Sequence, residues 1–566
     1  MQNFLNQIYT YWKNHGAKET AGKILRRIRG KRQQEVCYEQ WLTQHLPTEK
    51  ELLLQKDTAF PFMPLYCIIV CTHSKREEDF EALIESLECQ SYPKWKLCRM
   101  SMSPEELPGD LKGDFFVFLN KDDILAPNAL YECTRCINEE PLTDFLYSDE
   151  DKIEWESGRH FGHQMKPDFN MDLLCSCYFT GHLLAVKRSL LESTGGFRSQ
   201  YKAMGEYDLV LRLSENAVHI VHIPRVLCHV QSEESEDGHG GEMISRNTAE
   251  AGRMAVFEHC RRMGIEAKVL HGMLPGTYHV RYDLQEEPLV SVIIPNKDHI
   301  EDLKRCIDAI QNKSSYRNIE YIIVENNSEK PETFAYYEKL QKENSNAKVV
   351  VWKDAFNYSA INNFGVRHAQ GKYLLLLNND TELMNADCIE ELLGYCSRPD
   401  VGAVGAKLFY EDDTVQHAGV ILGMGGIAGH AFSGLDGMDP GYCARSICVQ
   451  EYSAVTAACM MVKRSDYKEV EGFSEELAVT FNDIDFCMKL RRIGKRIIYN
   501  PFAQMYHLES KSRGSEDSPE KVARFHKEIK IFEEKWKPDL EVGDPFYSPN
   551  LTLDTDREAF SLREIE

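Results

Sequence analysis

The sequence predicts an α/β protein made of two tandem modules, each with a mainly parallel central sheet, the first module being shortened. Each half opens with an apolar segment, "LYCIIVC" (65–71) and "LVSVIIP" (289–295), that is typical of a buried strand and precedes a helical pattern. Strands that alternate with helices favour parallel sheets. At 566 residues the chain is also too long for a single ordinary hydrophobic core.

The two halves share further segments in the same order, which indicates an internal duplication. Each segment of the first half has a partner in the second half with the same pattern of apolar residues. In one of these pairs both segments contain Val-Lys-Arg-Ser, followed at the same distance by Gly-Phe. The pairs are "FFVFLNKDDILAPNAL" (115–130) with "YLLLLNNDTELMNADCI" (373–389), "AVKRSLLESTGGF" (185–197) with "MVKRSDYKEVEGF" (461–473), "GEYDLVLRL" (205–213) with "NDIDFCMKL" (482–490), and "HIPRVLCHV" (222–230) with "YNPFAQMYHL" (499–508).

These patterns divide the chain into five parts. The acidic stretch "SEESEDG" (232–238) marks the end of the first module. The predicted parts are a basic helical N-terminal segment (1–60), the shortened first module (61–235), a helical linker (236–287), the second module (288–515), and a C-terminal helix and tail (516–566).

Charge and hydropathy exclude some classes of function. The net charge of −23 argues against nucleic-acid binding, because contact with a phosphate backbone needs a large basic face. The chain has no apolar run of membrane-spanning length and no signal-peptide core, which predicts a cytoplasmic protein. Residues 1–33 contain eight Lys or Arg and one Glu. Such a segment is either a solvated helix or, through residues 18–33, a weak anchor to the inner face of the cell membrane.

The stretch "YLLLLNNDTEL" (373–383) places two amides and a carboxylate directly after a strand that is apolar on both faces. Ligands of open parallel sheets bind beyond the carboxyl ends of the strands. Asn378, Asn379 and Asp380 are therefore candidates for a binding site. The alternative is that these residues cap a helix that begins within "TELMNADCIEELL".

Five ordered motifs occupy residues 290–514: "VSVIIPNKD", "IEYIIVENNS", "NND", "FNDIDFCMKLRRIG" and "YHLESKSRG". In this order they resemble glycosyltransferase family 2, whose members are inverting enzymes with the GT-A nucleotide-sugar fold. "YSDEDKI", "FNYSAINNFGV", "VQHAGV" and "SAVTAAC" are similar to two-module bacterial transferases that make O-antigen and rhamnose-rich surface polysaccharides. The resemblance implies a nucleoside diphosphate sugar donor, with dTDP-rhamnose or a UDP-sugar as candidates. It also implies a glycan acceptor, for which a lipid-linked glycan is one candidate.

The same resemblance implies roles for individual residues. A Mg²⁺ or Mn²⁺ ion would neutralise the diphosphate leaving group, with Asp380, His507 and Asn378 as ligands. Asn378 departs from the family, which often has an Asp there, and a neutral amide is a poorer ligand for a hard cation. Asp483 would be the general base that a single inverting displacement needs. The implied donor-binding residues are Pro295, Lys297, Glu325, Asn326, Asn327, Asn363, Asn379, Lys511 and Arg513.

The first module departs from this pattern in its donor half. It has 16 residues, Arg99 to Asp114, where the second module has 48, Glu325 to Lys372, and "KLCRMSMS" replaces the acidic turn. Glu206 stands at the position of the base, while "NKDD" (120–123) and His229 remain. We expect this module to be inactive and to brace the second module or hold the acceptor. A bifunctional protein with two active sites is the competing hypothesis.

The sequence also allows two interpretations from other functional classes. "GMGGIAG" (423–429) matches a dinucleotide-binding fingerprint, but it opens no module and follows no first strand. A non-catalytic carbohydrate-binding or assembly protein descended from tandem transferases is the stronger alternative. The joint presence of Asp380, Asp483 and His507 favours an enzyme.

Overall fold

The computed structural model describes residues 38–71, 78–100, 112–232, 245–508, 519–554 and 561–563. The basic segment 1–33, with its predicted membrane contact, lies outside these ranges. Within them the chain builds one eight-stranded sheet and one ten-stranded sheet, each with helices packed around it. The predicted α/β architecture of two tandem modules is therefore confirmed. None of the described helices is long and apolar enough to cross a membrane.

The eight-stranded sheet forms the first module, which follows a helical segment at 38–45 and a helix α1, Glu49–Lys56, that Thr48 and Glu51 cap reciprocally. Its strands are β1 Tyr66–Cys71, β2 Trp95–Met100, β3 Phe115–Asn120, β4 Asp123–Leu125, β5 Phe145–Glu154, β6 His160–Gln164, β7 Leu184–Lys187 and β8 Ile220–Ser232. Its helices are α2 Glu78–Glu88, α3 Ala129–Glu139, α4 Met171–Ser176, α5 Arg188–Thr194 and α6 Gly205–Ser214, with a 3₁₀ turn at Ser199–Met204.

A helix and a hairpin connect the modules: α7 Arg246–Arg262, then β9 Ala267–His271 and β10 Tyr278–Tyr282. The strands of the second module are β11 Val290–Asn296, β12 Ile319–Asn326, β13 Ala347–Trp352, β14 Tyr373–Leu377, β15 Thr381–Leu383, β16 Val401–Phe409, β17 Val415–His417, β18 Val420–Leu422, β19 Ala428–His430, β20 Gln450–Glu451, β21 Cys459–Lys463 and β22 Arg496–His507. Its helices are α8 Ile300–Lys313, α9 Pro331–Glu343, α10 Tyr358–Arg367, α11 Cys388–Cys396, α12 Arg464–Glu469 and α13 Asn482–Arg492, followed by α14 Pro519–Val542. Short 3₁₀ turns lie at Met424–Gly426 and Tyr442–Ile447.

The two main sheets have the same topology. The strand order is β2-β1-β3-β7-β5-β8-β4 in the first and β12-β11-β14-β21-β16-β22-β15 in the second, where β13 adds an edge strand. Corresponding neighbours also run in the same relative directions, parallel through β3 and β14 and mixed beyond them. This correspondence supports the internal duplication. β13 and α10, which flank the donor half of the second module, have no counterpart among the described residues of the first.

Strand β14 is buried on both faces, as its leucines predict. Leu374 and Leu376 pack into the core on one side of the sheet, and Leu375 and Leu377 pack into the core on the other. The chain does not continue from Asn378–Asp380 into a helix. It forms the short strand β15, and α11 begins only at Cys388. The alternative that these polar residues cap a helix is therefore wrong, because β15 pairs with β22 first.

The C-terminal helix α14 fixes the segment that leads into α13. The carboxylate of Asp485 is fully buried and accepts hydrogen bonds from Trp536 Nε1 (2.9 Å) and Ser474 Oγ (2.6 Å). Lys535 Nζ lies 2.7 Å from the same carboxylate. Glu528, also on α14, accepts hydrogen bonds from the backbone N–H groups of residues 478–480. These buried acceptors hold α14 against the second module.

We expect Asp485→Ala to lower the free energy of unfolding by roughly 3 kcal/mol, because it leaves the Lys535 ammonium, the buried Trp536 N–H and the Ser474 hydroxyl without their acceptor. Urea unfolding followed by tryptophan fluorescence measures this loss. Glu533→Ala, an exposed carboxylate on the same helix, is the matched control and should change little. Equal stability of the two variants would contradict the anchoring role of Asp485.

Candidate functional site

Three polar side chains meet where β14 ends. Because Thr381 of β15 pairs with His507 of β22, the imidazole lies beside the residues that leave β14. His507 Nε2 lies 3.3 Å from Asp380 Oδ1 and 3.1 Å from Asn378 Nδ2. Asp380 and His507 are 7% and 8% exposed. The structure thus brings together the three residues expected to bind a metal, which we call the β14 corner.

Gln416 of β17 orients the imidazole of His507. Its Oε1 lies 2.6 Å from His507 Nδ1, so Nδ1 carries the proton and Nε2 is left as an acceptor facing Asp380. A histidine that donates from one nitrogen to a carbonyl oxygen is the usual arrangement for a metal ligand. A carboxylate oxygen and an imidazole nitrogen together suit Mn²⁺, whereas Mg²⁺ prefers oxygen ligands alone. The residues of the β14 corner therefore fit a divalent cation.

Asp483 lies in the first turn of α13 and is half-buried. Its Oδ2 accepts a hydrogen bond from the N–H of Ala457 (3.2 Å), and its Oδ1 accepts one from the N–H of Ile484 (2.9 Å). Asn482 instead bonds the backbone of Val479, so it serves the helix start. Of the three polar residues at this helix start, Asp483 alone has a carboxylate that is neither fully buried nor bonded to a cation.

A short network joins Asp483 to the β14 corner. The residue that donates to Asp483, Ala457, accepts a hydrogen bond through its carbonyl oxygen from Tyr358 Oη (3.2 Å). Tyr358 Oη also lies 3.1 Å from Asn378 Oδ1. The carbonyl oxygen of Ala458, the next residue, accepts from the N–H of Asn378. The base and the metal corner expected from the sequence therefore border the same three-residue segment, 456–458.

A second chain of hydrogen bonds joins Asn379 to Glu325. Asn379 Nδ2 donates to Asn296 Oδ1, Asn296 Nδ2 donates to Tyr337 Oη, and Tyr337 Oη donates to Glu325 Oε2, each over 2.7 Å. Ser328 Oγ also donates to Glu325 (2.6 Å). Glu325 is 2% exposed. Side-chain hydrogen bonds thus connect the ends of β11, β12 and β14, and the buried Glu325 carboxylate stabilises this edge of the sheet by accepting those from Tyr337 and Ser328.

The other expected donor-binding residues have different surroundings. Asn326 and Asn327 both direct Nδ2 to the carbonyl oxygen of Asp354, and Asn327 has a positive φ of 55°. Pro295 is the half-buried penultimate residue of β11, and Lys297 follows the end of this strand in an exposed position. Lys511 and Arg513 lie outside the described residues.

Asn363 is occupied elsewhere. Its amide donates to the carbonyl oxygen of Phe473 (2.9 Å) and to Glu475, and accepts from Tyr467 Oη (2.7 Å) and the N–H of Phe473. All of its hydrogen-bonding capacity serves the segment 467–475. We therefore leave Asn363 out of the donor site proposed below.

A histidine pair next to the corner, His417 and His430, was not recognised from the sequence, and His417 is fully buried. His417 Nε2 accepts from the N–H of Thr456 (3.4 Å), and its Nδ1 lies 2.8 Å from His430 Nδ1. Burial holds the pKa of His417 well below its usual value, and the neighbouring His430 and His507 add to this effect. His417 is thus neutral and fixes segment 456–458. Its only signal in the sequence was the motif "VQHAGV".

The corresponding corner of the first module is built differently. When the two modules are aligned on their shared Val-Lys-Arg-Ser segment, His182 of the first module takes the position of Ala458 in the second. The Nδ1 atom of His182 lies 2.7 Å from Asp123 Oδ1. Asp123 pairs with Val230, whereas Thr381 pairs with His507. Val230 is therefore the counterpart of His507, and the expectation that His229 preserves this ligand is wrong. A histidine side chain fills the corner where the second module has an alanine.

The family comparison agrees with the second module. Residues 291–465 match the model "Glycosyl transferase family 2". The chain is 36% identical over 536 residues to "Uncharacterized protein y4gI" of Sinorhizobium fredii, covering 87% of this chain and 58% of that protein. It is 35% identical over 443 residues to "O-antigen biosynthesis protein RfbC" of Myxococcus xanthus, covering 78% of this chain and 34% of that protein. The chain thus spans about half or less of the length of these relatives.

Solved structures give only weak likenesses. GalNAc-T7 with UDP, GalNAc and Mn²⁺ has 14% identity and a TM-score of 0.38, covering 47% of this chain and 51% of that chain. The mannosyltransferase PcManGT from Pyrobaculum calidifontis, in complex with GDP-Man and Mn²⁺, has 15% identity and a TM-score of 0.33, covering 52% and 76%. Likenesses of this size carry no conclusion about this chain.

The ordered motifs, the α/β module around them and the family match agree. Residues 291–465 of the second module therefore match a glycosyltransferase family 2 domain.

Proposed function

We propose that the second module is a metal-dependent inverting glycosyltransferase. It would move a sugar from a nucleoside diphosphate sugar onto a hydroxyl of a glycan acceptor during synthesis of a bacterial surface polysaccharide. The observation that carries this proposal is the network through Ala457 and Tyr358, which ties Asp483 to the β14 corner within a family 2 domain. The name of the Myxococcus xanthus relative supports the link to surface polysaccharide.

The β14 corner would hold the diphosphate end of the donor. A Mg²⁺ or Mn²⁺ ion bound by Asp380, His507 and Asn378 supplies positive charge to the leaving diphosphate. Gln416 Oε1 accepts a hydrogen bond from His507 Nδ1, so Nε2, which faces Asp380, is the nitrogen that would act as a ligand. Asn378 would contribute its amide oxygen after its amide turns, because Nδ2 now faces His507 Nε2 and Oδ1 accepts from Tyr358 Oη.

Asp483 would act as the general base. In a single displacement the acceptor hydroxyl loses its proton as its oxygen attacks the anomeric carbon, so a carboxylate must lie on the acceptor side. Asp483 can take this proton because two backbone N–H groups fix its carboxylate without neutralising it. The burial of Asp485 and its bonds to α14 keep the helix start in place.

The edge formed by β11, β12 and β14 would receive the nucleoside. Glu325, Asn326, Asn327, Pro295 and Lys297 follow or end these strands, where ligands of α/β sheets bind. Asn379 joins them through its bond to Asn296. Candidate donors are dTDP-rhamnose and UDP-sugars. Lys511 and Arg513 stay proposed contacts of the diphosphate.

We infer that the first module does not transfer sugar and instead braces the second. His182 occupies its corner and Val230 replaces the late histidine. Among its described residues, the first module also lacks counterparts of β13 and α10, the elements that flank the donor half of the second module. Contacts such as Asn170 Nδ2 to the carbonyl oxygen of Glu451 (3.1 Å) join it to the second module.

Asp483→Asn should reduce transfer about 10²- to 10⁴-fold, because the amide cannot accept the proton of the acceptor. Nucleotide binding should be unchanged, since the amide oxygen can keep the bond from Ala457. Release of nucleoside diphosphate from the donor, with and without acceptor, measures the reaction. Glu476→Gln, an exposed carboxylate just before α13, is the control. Unchanged turnover in Asp483→Asn would remove Asp483 from this role.

His507→Gln should raise the Mn²⁺ concentration for half-maximal activity by about tenfold or more. The effect on Mg²⁺ should be smaller, because the lost imidazole nitrogen favours Mn²⁺. Metal titrations of turnover measure both values, with the exposed His526→Gln as control. Equal metal dependence of wild type and His507→Gln would show that His507 is not a ligand.

Glu206 of the first module should make stability depend on pH. Burial and the neighbouring carboxylates Asp123 and Asp122 raise its pKa to about 7, against 4.5 in the unfolded chain. Its stabilising contribution is therefore full below the unfolded pKa and is lost as the pH rises through 7. Between about pH 5 and about pH 8 the wild type should lose on the order of 1 kcal/mol of stability relative to Glu206→Gln. Urea unfolding at both pH values tests this, and parallel pH profiles would contradict it.

A further inference from the structure

Three metal-ligand side chains converge in the first module, one residue along β8 from Val230 of its corner. Asp151 of β5, His160 of β6 and His229 of β8 place their ligand atoms within 4.8 Å of one another. Asp151 Oδ1 lies 2.6 Å from His229 Nδ1, and Asp151 Oδ2 lies 2.8 Å from His160 Nδ1. Within the described ranges this is the one such cluster of three His, Cys, Asp or Glu side chains.

The described part of the second module has no equivalent of this trio. Asp151 and His229 are opposite each other on the neighbouring strands β5 and β8, and the equivalent positions on β16 and β22 are Phe409 and Tyr506. The rings of Phe409 and Tyr506 pack edge to face, with their centroids 6.4 Å apart. The first module thus buries a carboxylate and an imidazole at positions that an aromatic pair fills in its duplicate. Asp151 and His229 are 1% and 6% exposed. Burial of ionisable groups at this depth is costly unless a bound partner compensates it.

We propose that Asp151, His160 and His229 bind one Zn²⁺ ion that links strands β5, β6 and β8. Two imidazoles and one carboxylate are a typical zinc ligand set, with water as the fourth ligand. This site is separate from the β14 corner and independent of the proposed transfer reaction. Its nitrogen-rich ligands disfavour Mg²⁺.

The trio can open to admit the ion. Around a tetrahedral Zn²⁺ with bonds of about 2.0–2.1 Å, ligand atoms lie about 3.3 Å apart, so the two imidazoles must retreat slightly from Asp151. His160 can do so because it is partly exposed and lies in the β5–β6 hairpin, which has positive-φ glycines at Gly158 (69°) and Gly162 (60°). Its exposed edge is also the path by which the ion and a water molecule would enter.

Tyr38 supports the site from the helical segment 38–45. Its Oη donates to Asp151 Oδ2 over 2.6 Å, which orients the carboxylate as an outer hydrogen-bond donor does in metal sites. Trp41 and Leu42 of the same segment are buried in a core that includes residues of the second module. An ion held by Asp151 would therefore stabilise the contact of this segment with both modules.

The test uses the full-length protein after chelation and dialysis. We expect calorimetric titration of Asp380→Ala, which lacks the other site, to show one equivalent of bound Zn²⁺. Co²⁺ should give the visible absorption of a tetrahedral complex. His160→Gln in the same background should lose this equivalent and the absorption. Because His160 is partly exposed, the variant should still fold, which circular dichroism checks.

The matched control is His182→Gln, which breaks another His–Asp pair of the first module and should leave Zn²⁺ binding intact. Zinc should also raise the Tm of Asp380→Ala and of the control, but not that of His160→Gln. Absence of a bound equivalent, or equal binding by His160→Gln and His182→Gln, would overturn the proposal and leave the trio as a hydrogen-bonded network.

Discussion

Strand β22 pairs with β16, β15 and β20, and the position of His507 depends on its double pairing with the first two. It runs parallel to β16 and, near its end, antiparallel to β15. A shift in register between Ala406 and Lys407 lets the strand bend from one partner towards the other. The last residue of β22 therefore faces the polar residues that leave β14. The first module repeats the double pairing with β8, β5 and β4, yet places Val230 at this position.

The first module reaches this same strand through the interface. Asn170 exchanges two hydrogen bonds with the backbone of Glu451 in β20, and β20 pairs with β22. Asp172, on the next turn, lies 3.4 Å from Arg496 at the start of β22 and also pairs with Arg398. Ion pairs at this depth hold two elements in one relative position, because breaking them leaves a buried charge. A duplicated module whose corner is built differently can thus stabilise the strand that carries His507.

Much of this architecture could be predicted from local pattern. The leucines of β14 and the matched segments indicated a buried strand and a duplication, because apolar periodicity reports burial directly. The hydrogen-bond partners could not be predicted, since they come from distant segments: Gln416 for His507, Ala457 for Asp483, and Tyr337 for Glu325. The match of His229 with His507 failed for the same reason. Strand register decides which residue faces the corner. His229 is one position away from Val230, the true counterpart of His507, and therefore does not face it.

The central claim is that the chain has one working donor site, in the second module. Calorimetric titration of the full-length wild type with UDP and with dTDP, with and without Mn²⁺, tests it most directly. We expect one equivalent of the preferred nucleotide, bound only when the metal is present. Two equivalents would show that the first module keeps a donor site despite His182. Metal-independent binding, or no binding across a wider panel of nucleoside diphosphates, would contradict the proposed role of the β14 corner.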